Sequence, residues 1–139
     1  MKGMEERLQK ATEDHKKGYN CAQCVLCAYA DVLNMEESVL FRVAEGFGGG
    51  MGGMMGTCGA VTAMFMAAGL KNSCGDLNVC NSKMGTNKLV RSMAEKFQQQ
   101  NQSLICRELK GVDTGKVLRS CPDCIADAIR IVGEEFGIS

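Results

Sequence analysis

Apolar residues recur along most of the chain at the spacing of an α-helix, about every 3.6 positions, and seldom alternate as they do in a strand. The single proline, Pro122, leaves long stretches free to be helical. Capping residues and glycines mark the ends of these stretches. The pattern predicts helices at about residues 4–17, 21–33, 36–45, 58–68, 83–100 and 121–136. We therefore predict an all-α fold, a compact single-domain helical bundle with a glycine-rich loop.

The segment 46–56 interrupts this pattern because seven of its eleven residues are glycine. Such a run loses too much backbone entropy to form a regular helix or strand, so we predict a loop. Thr57 is then the expected N-cap of a helix that starts at Cys58, and Gly69 is its expected C-cap. The loop lacks the Lys-Ser/Thr pair of a P-loop, which disfavours phosphate binding. Its glycines instead favour a close approach of backbone amides to a cofactor or substrate beside Cys58.

Length and charge limit the classes of protein that fit. The chain has 139 residues, so we expect one domain over residues 1–139. Sixteen Lys and Arg balance sixteen Asp and Glu, which argues against a nucleic acid or an anionic membrane surface as a partner. The longest apolar run, residues 60–70, is about half the length of a membrane span, so no membrane insertion is expected. The charged N-terminus lacks a secretory signal, which predicts a cytoplasmic location.

The cysteines are the strongest chemical signal. The chain has nine Cys, one His and no Trp, so chemistry at neutral pH is expected to run through sulfur. Cys21, Cys58 and Cys121 each follow a capping residue at the start of a predicted helix. The free N–H groups there stabilise a thiolate or an anionic metal–thiolate centre. The alternative is that each cysteine is simply a small apolar residue buried at a helix junction. The recurrence of the same position at three helix starts favours the thiolate interpretation.

Two cysteine spacings add to this signal. Residues 21–27 contain CxxCxxC, which on a helix places neighbouring sulfurs one turn apart. Residues 121–124 form CxxC, which occurs in thiol oxidoreductases and in metal sites, although the βαβ pattern of a thioredoxin is missing. Cys24 and Cys27 are explained equally well as buried helix residues. The roles of Cys74 and Cys80, in a predicted loop, and of Cys124 stay open.

Four segments together resemble one protein family. They are Gly18-Tyr-Asn-Cys21-Ala-Gln, the glycine loop into Thr57-Cys58-Gly59-Ala60-Val61-Thr62, the turn Cys106-Arg-Glu-Leu109 and the helix start at Cys121. This combination resembles the redox-active protein family named for its C_GCAxxG_C_C cysteine pattern. The resemblance implies a small bacterial or archaeal helical protein with a redox or metal role, whose family cysteines correspond to Cys21, Cys58, Cys106 and Cys121. Similar sequence also occurs in the iron–sulfur region of split-Soret cytochromes. The chain departs from the family by having Ala63 at the last glycine of the motif and five further cysteines.

Three functions are compatible with this pattern. The first is an iron–sulfur cluster on Cys21, Cys58, Cys106 and Cys121 for electron transfer or sensing, since thiolates from separate helix starts suit a compact anionic centre. The second is a thiol–disulfide oxidoreductase, an enzyme, in which Cys58 or Cys121 attacks and a neighbour resolves. The third is a structural zinc site on the same four thiolates. The sequence leaves the choice among them open, together with the redox partner and a homo-oligomeric state.

These functions share geometric expectations that a structure tests. Cys21, Cys58, Cys106 and Cys121 should converge, and Cys58 should lie within disulfide range of another family cysteine in a protein without metal. We also expect Cys58 to be the most perturbed thiol, with its pKa below the ordinary value of about 8.5. The helix start and the glycine loop both offer N–H groups to its sulfur.

Overall fold

The computed structural model describes residues 2–139, which form helices joined by turns and loops. An isolated bridge pairs Thr57 with Ile105, and residues 2–139 contain no β-strand. The prediction of an all-α fold is confirmed. The helices are α1 (Met4–Lys17), α2 (Cys21–Cys27), α3 (Ala30–Leu33), α4 (Glu37–Ala44), α5 (Gly48–Met51), α6 (Gly59–Asn72), α7 (Lys83–Asn101), α8 (Cys106–Lys110) and α9 (Cys121–Glu135).

Local sequence determines the junction between α1 and α2. Gly18 adopts a left-handed conformation, with a φ of 109°, and ends α1. The side-chain oxygen of Asn20 accepts a hydrogen bond from the Gln23 amide at 2.9 Å, and the Gln23 side chain accepts one from the Asn20 amide at 2.9 Å. This reciprocal capping box satisfies two N–H groups that would otherwise lack partners. As a result, Cys21 occupies a well-defined helix start.

The helix predicted over residues 21–33 is divided into α2 and α3 by a turn at Ala28 and Tyr29. The fully buried guanidinium of Arg7 donates to the carbonyl oxygen of Ala28 at 2.7 Å and to the carboxylate of Asp31 at 2.7 Å. In a continuous helix that carbonyl would accept from the amide of Val32, which here donates to Tyr29 at 3.0 Å. The helix is interrupted because a distant side chain uses one of its backbone acceptors.

The glycine-rich segment is irregular, in agreement with the predicted loop, although the single turn α5 lies within it. Gly49 and Gly50 in this turn have φ values of 64° and 60°. A residue with a Cβ is strained in this left-handed region, whereas glycine is not. The amide of Gly56 donates to the carbonyl oxygen of Gly50 at 3.2 Å, so the segment folds back on itself before α6 begins.

The start of α6 differs from the prediction by one residue. Cys58 is the N-cap residue and Gly59 is the first residue of the helix, so Thr57 does not cap it. The reason is that Thr57 is paired in the bridge to Ile105, and the extended backbone continues through Cys58, whose ψ is 134°. The thiol nevertheless remains at the positive end of α6.

The remaining helix ends agree more closely with the sequence pattern, apart from the end of α6. This helix continues through Gly69, whose carbonyl oxygen accepts from the Ser73 amide at 2.9 Å, so Gly69 is not a C-cap. The bounds of α7 and α9 lie within one residue of those predicted. Ser120 caps α9 by accepting from the Asp123 amide at 3.3 Å. The expected turn at Cys106 contains the short helix α8.

The hydrophobic core is built around α2, of which six of the seven residues are buried. This helix packs against α4, α6 and α9, and α6 also packs against α7. Burial of a large apolar side chain contributes about 1.5–3 kcal/mol. Fully buried apolar and aromatic side chains include Leu26, Tyr29, Leu40, Met64, Phe97 and Ile129.

Among residues 2–139, no helix combines the length and the apolar character that crossing a bilayer requires.

Candidate functional site

The first residues of several helices meet around one small cavity. Its volume is about 60 Å³, and it is bordered by the starts of α2, α6, α8 and α9. Five free cysteines line it: Cys21, Cys58, Cys106, Cys121 and Cys124. A larger groove of about 430 Å³ between α1 and α9 has no cysteine in its lining. The four cysteines assigned to the family pattern therefore converge, and Cys124 joins them.

A short antiparallel pairing holds Cys58 and Cys106 side by side. The amide of Cys58 donates to the carbonyl oxygen of Leu104 at 2.7 Å, and the amide of Cys106 donates to that of Gly56 at 3.0 Å. These bonds flank the isolated bridge and fix the register of the two segments. Each of the two cysteines is only 6% exposed, so the pairing brings two buried thiols to the same cavity.

Cys21 and Cys121, the first residues of α2 and α9, are neighbours at the cavity. The neighbouring Cys21 thiol lowers the pKa of Cys121 to about 6, and the positive charge of Lys110 acts in the same direction against the effect of burial. The neighbouring Cys121, together with burial, raises the pKa of Cys21 well above its ordinary value. The thiolate form is therefore favoured at Cys121 and the protonated form at Cys21.

Cys58 and Cys124 form a second pair of neighbouring thiols, and the Cys124 thiol donates to the carbonyl oxygen of Arg119 at 3.9 Å. The neighbouring Cys124 lowers the pKa of Cys58 to about 7, and the amides of Val61 and Ala60 at the start of α6 add to this against the effect of burial. The pKa of Cys124 is raised by the neighbouring Cys58 and by burial. The lowered pKa of Cys58 agrees with the sequence prediction. The pKa of Cys121 is lowered as well, so the expectation that Cys58 is the most perturbed thiol stays a prediction.

Positive charge reaches the cavity from Lys110 and Arg119. The Arg119 guanidinium is bound to the carboxylate of Asp127 at 2.9 and 3.0 Å, which offsets its charge. Lys110 instead faces the thiols, and the negative charge of Cys121 raises its pKa. Burial raises the pKa of Cys106, and Lys110 opposes that effect. Lys110 is therefore the cation that stabilises anionic sulfur in this cavity.

Two glycines make the close packing around the cavity feasible. A Cβ atom on Gly50 would lie 2.4 Å from the Cβ of Cys106 and 3.1 Å from its Sγ. A Cβ atom on Gly59 would lie 2.8 Å from the carbonyl oxygen of Phe47. Contacts between such atoms are favourable at about 3.5–4.0 Å, so both positions exclude a side chain. The two glycines thus allow the glycine-rich segment to pack directly against Cys106 and against the start of α6, whereas the predicted approach of its amides to a cofactor or substrate stays a prediction.

The other four cysteines lie outside the cavity. Cys24 and Cys27 point into the core, where burial raises the pKa of each to about 12. Their thiols donate weakly to backbone carbonyl oxygens at 3.8 and 3.9 Å. Cys74 and Cys80 form a disulfide in the exposed connection between α6 and α7. The CxxCxxC pattern therefore contributes only Cys21 to the cavity.

Sequence reasoning did not identify Cys124, Lys110 or Arg119 as cavity residues. The CxxC spacing was the available signal for Cys124, since residues three apart share a helix face. The expectation that Cys58 lies within disulfide range of another family cysteine stays a prediction, and the thiol that most affects its pKa is Cys124. Within residues 2–139, no group of three or more His, Cys, Asp or Glu side chains is arranged to hold a metal ion. Four of the five cavity thiols instead interact in two pairs, Cys21 with Cys121 and Cys58 with Cys124.

Comparison with family models matches residues 19–135 to the family described as "Putative redox-active protein (C_GCAxxG_C_C)". The matched segment contains all five cavity cysteines. No curated protein and no solved structure matches the chain. The match to the family model confirms the resemblance found in the sequence. Because the match covers most of the chain, the protein belongs to the redox-active family named for the C_GCAxxG_C_C pattern.

Proposed function

We propose that this protein binds an iron–sulfur cluster through Cys21, Cys58, Cys106 and Cys121 and uses it for electron transfer or sensing. The observation that carries the proposal is the convergence of these thiols, from four separate segments, on one cavity. Membership of a redox-active family supports it. When bound, such a cluster takes up and releases electrons at a potential that the surrounding hydrogen bonds and charges adjust.

The kind of donor atom at this cavity fits an iron–sulfur cluster, although these thiols are not arranged around a metal ion in this structure. The residues that line the cavity supply five sulfur atoms and two cationic side chains, and no carboxylate is among them. Thiolate sulfur is the ligand that iron–sulfur clusters use most often. Ligation requires thiolates, and it is opposed at Cys21 by the neighbouring Cys121 and burial and at Cys106 by burial, which raise the pKa of these two cysteines. Cys58 and Cys121, with lowered pKa values, lose their protons most readily.

The chain's own groups favour negative charge on these sulfurs. The amides of Val61 and Ala60 lower the pKa of Cys58, and the positive charge of Lys110 lowers the pKa of Cys121. Hydrogen bonds and positive charge around thiolate ligands stabilise an anionic centre and adjust its electronics. Cys58 and Cys106 are buried, which keeps water away from the sulfur atoms of these two cysteines.

The test is metal and sulfide analysis of the full chain after anaerobic purification. We expect iron and acid-labile sulfide in similar amounts, with visible absorption that changes on reduction. Cys106→Ser should lose most of both. Cys24→Ser is the matched control, because Cys24 is a buried cysteine that does not line the cavity, and it should retain both. Equal loss in the two variants, or zinc without sulfide, would contradict the proposal.

A second candidate function, thiol–disulfide exchange, is favoured by the two thiol pairs. Each pair combines a cysteine of lowered pKa, Cys58 or Cys121, with one of raised pKa. This is the arrangement of an attacking thiolate and a resolving thiol. In that function the chain would purify without iron or sulfide, and mild oxidation would join Cys58 to Cys124 or Cys21 to Cys121. Iron and sulfide content therefore separates the two candidates.

A further inference from the structure

The connection between α6 and α7 carries a pair of cysteines unlike all the others. Residues 71–81 are all exposed, and the side chain of Leu77 is fully so. Within this connection Cys74 and Cys80 are joined by a disulfide, with their Cα atoms 5.9 Å apart. This separation lies within the usual range for bridged cysteines, about 4.4–6.8 Å.

The pair is separate from the cavity described above. Neither Cys74 nor Cys80 lines that cavity, and neither corresponds to one of the four cysteines of the family pattern. The buried thiols of Cys24 and Cys27 are protonated and shielded, whereas the sulfurs of this loop lie in a segment open to solvent. Reactivity in thiol–disulfide exchange depends on access and on thiolate character. In the exposed loop, a dissolved thiol therefore reaches a cysteine sulfur without any opening of the core.

Polar contacts hold the two ends of this loop together independently of the covalent bond. The hydroxyl oxygen of Ser82 accepts from the amide of Cys74 at 3.0 Å and lies 3.3 Å from the Sγ of Cys80. The carboxylate of Asp76 accepts from the amide of Asn78 at 2.9 Å, which stabilises the turn between the cysteines. These contacts keep the sulfurs near each other after reduction, so the bond can form again within the folded chain.

We propose that Cys74 and Cys80 form a reversible thiol–disulfide exchange site for small-molecule thiols and their disulfides, distinct from the five-thiol cavity. A small thiolate bonds to the Sγ of Cys80, the Cys74–Cys80 bond breaks, and its electron pair leaves on the Sγ of Cys74. The amide of Asp76, 3.5 Å from that sulfur, donates to the departing thiolate, which then takes up a proton.

A second small thiolate completes the reduction. It bonds to the small-molecule sulfur of the mixed disulfide, and Cys80 leaves as a thiolate that is protonated by solvent. In total the loop gains two electrons and two protons, and two small thiols become one small disulfide. The reverse sequence, with the small disulfide as oxidant, restores the Cys74–Cys80 bond. No metal and no cavity residue takes part.

The experiment follows the redox state of one peptide in the full-length protein. Trypsin cleaves after Lys71 and Lys83, and the peptide between these sites contains Cys74 and Cys80 as its only cysteines. The folded protein is equilibrated under anaerobic conditions with mixtures of reduced and oxidised glutathione, alkylated and digested. We expect the disulfide fraction of this peptide to rise from near zero to near one as the glutathione disulfide increases. The same curve should result when equilibrium is approached from the reduced and from the oxidised protein.

Variants make the result specific to the loop. In Cys74→Ser, glutathione disulfide should leave one glutathione on Cys80, because the resolving thiol is missing. Under the same brief treatment, the buried Cys27 should carry none. The double variant Cys74→Ser/Cys80→Ser should have the same iron and sulfide content as the wild type, whether or not a cluster is present. Failure of the exchange proposal is therefore distinguishable from failure of the proposed cluster. A peptide that stays reduced in oxidised glutathione, or stays oxidised in excess reduced glutathione, would overturn reversible exchange.

Discussion

Replacement of Gly50 by alanine tests whether the glycine segment is needed to position Cys106 at the cavity. The new Cβ atom would lie 2.4 Å from the Cβ of Cys106 and 3.2 Å from the carbonyl oxygen of Gly56. Carbon atoms pack at about 3.5–4.0 Å, so Cys106 would have to move by roughly 1 Å or more. The neighbouring Gly49 provides a matched control, because its φ of 64° is nearly the same and a Cβ there meets no atom within 4 Å.

The free energy of unfolding should separate these two variants. Both place an alanine in the left-handed region, which costs about 1–2 kcal/mol. Gly50→Ala adds the steric overlap with Cys106, about 1–3 kcal/mol for an overpacked site. We therefore expect a loss of roughly 1–2 kcal/mol for Gly49→Ala and roughly 2–5 kcal/mol for Gly50→Ala. Domains of this size are stable by about 5–15 kcal/mol, so Gly49→Ala should leave most of that stability and Gly50→Ala should remove a large part of it.

Two measurements on the reduced, metal-free protein check this expectation. Urea unfolding followed by circular dichroism gives the free-energy loss, and timed alkylation with peptide mapping gives the accessibility of Cys106. Gly50→Ala should be less stable than Gly49→Ala and should expose Cys106 to faster alkylation. Equal stability and equal alkylation rates in the two variants would refute the argument that contact with Cys106 requires glycine at position 50.

Three further predictions use the charges and hydrogen bonds of the structure. Lys110→Gln should raise the pKa of Cys121 above about 6, because a neighbouring cation is lost, and should shift the pH profile of its alkylation to higher pH. Cys124→Ala should raise the pKa of Cys58 above about 7 and slow its alkylation at neutral pH, since burial then acts without the opposing effect of the neighbouring Cys124. Asp31→Asn should remove the acid sensitivity that this ion pair causes. The hydrogen bond from Arg7 lowers the pKa of the Asp31 carboxylate to about 2. The stability that the carboxylate adds is therefore present above its ordinary pKa near 4 and is lost as the pH falls toward 2. Urea unfolding between pH 6 and pH 2 measures the last effect.

Each of these predictions has a clear contrary result. Lys116→Gln is the control for Lys110→Gln, because Lys116 is an exposed lysine that does not line the cavity. If both variants shifted the pH profile of Cys121 alkylation equally, the net charge of the protein alone would explain the effect. An unchanged alkylation profile of Cys58 in Cys124→Ala would show that Cys124 does not stabilise the Cys58 thiolate. A wild type and an Asp31→Asn variant with the same loss of stability between pH 4 and pH 2 would contradict the role given to the ion pair.

Local sequence was sufficient to predict most helix boundaries and the chemistry of the helix starts. Gly18, Asn20 and Ser120 act on backbone groups within about four residues, so their effect could be inferred without the rest of the fold. The same local rule placed Cys21 and Cys121 at helix starts. At the break between α2 and α3 it failed because of a distant partner: Arg7 takes the backbone acceptor that would have continued α2 into α3.

Which thiols meet was decided only by the tertiary structure. Cys24 and Cys27 share a helix with Cys21 yet face the core, whereas Cys58 and Cys106, 48 positions apart, are joined by backbone pairing. The pairing of Cys58 with Cys124 and the approach of Lys110 to Cys121 likewise depend on how separate segments pack. By itself the sequence determined an all-α chain with thiols at helix starts, because those signals are local. The composition of the cavity and the pKa of each thiol needed the fold, because charge, burial and hydrogen bonding there come from residues far apart in the chain.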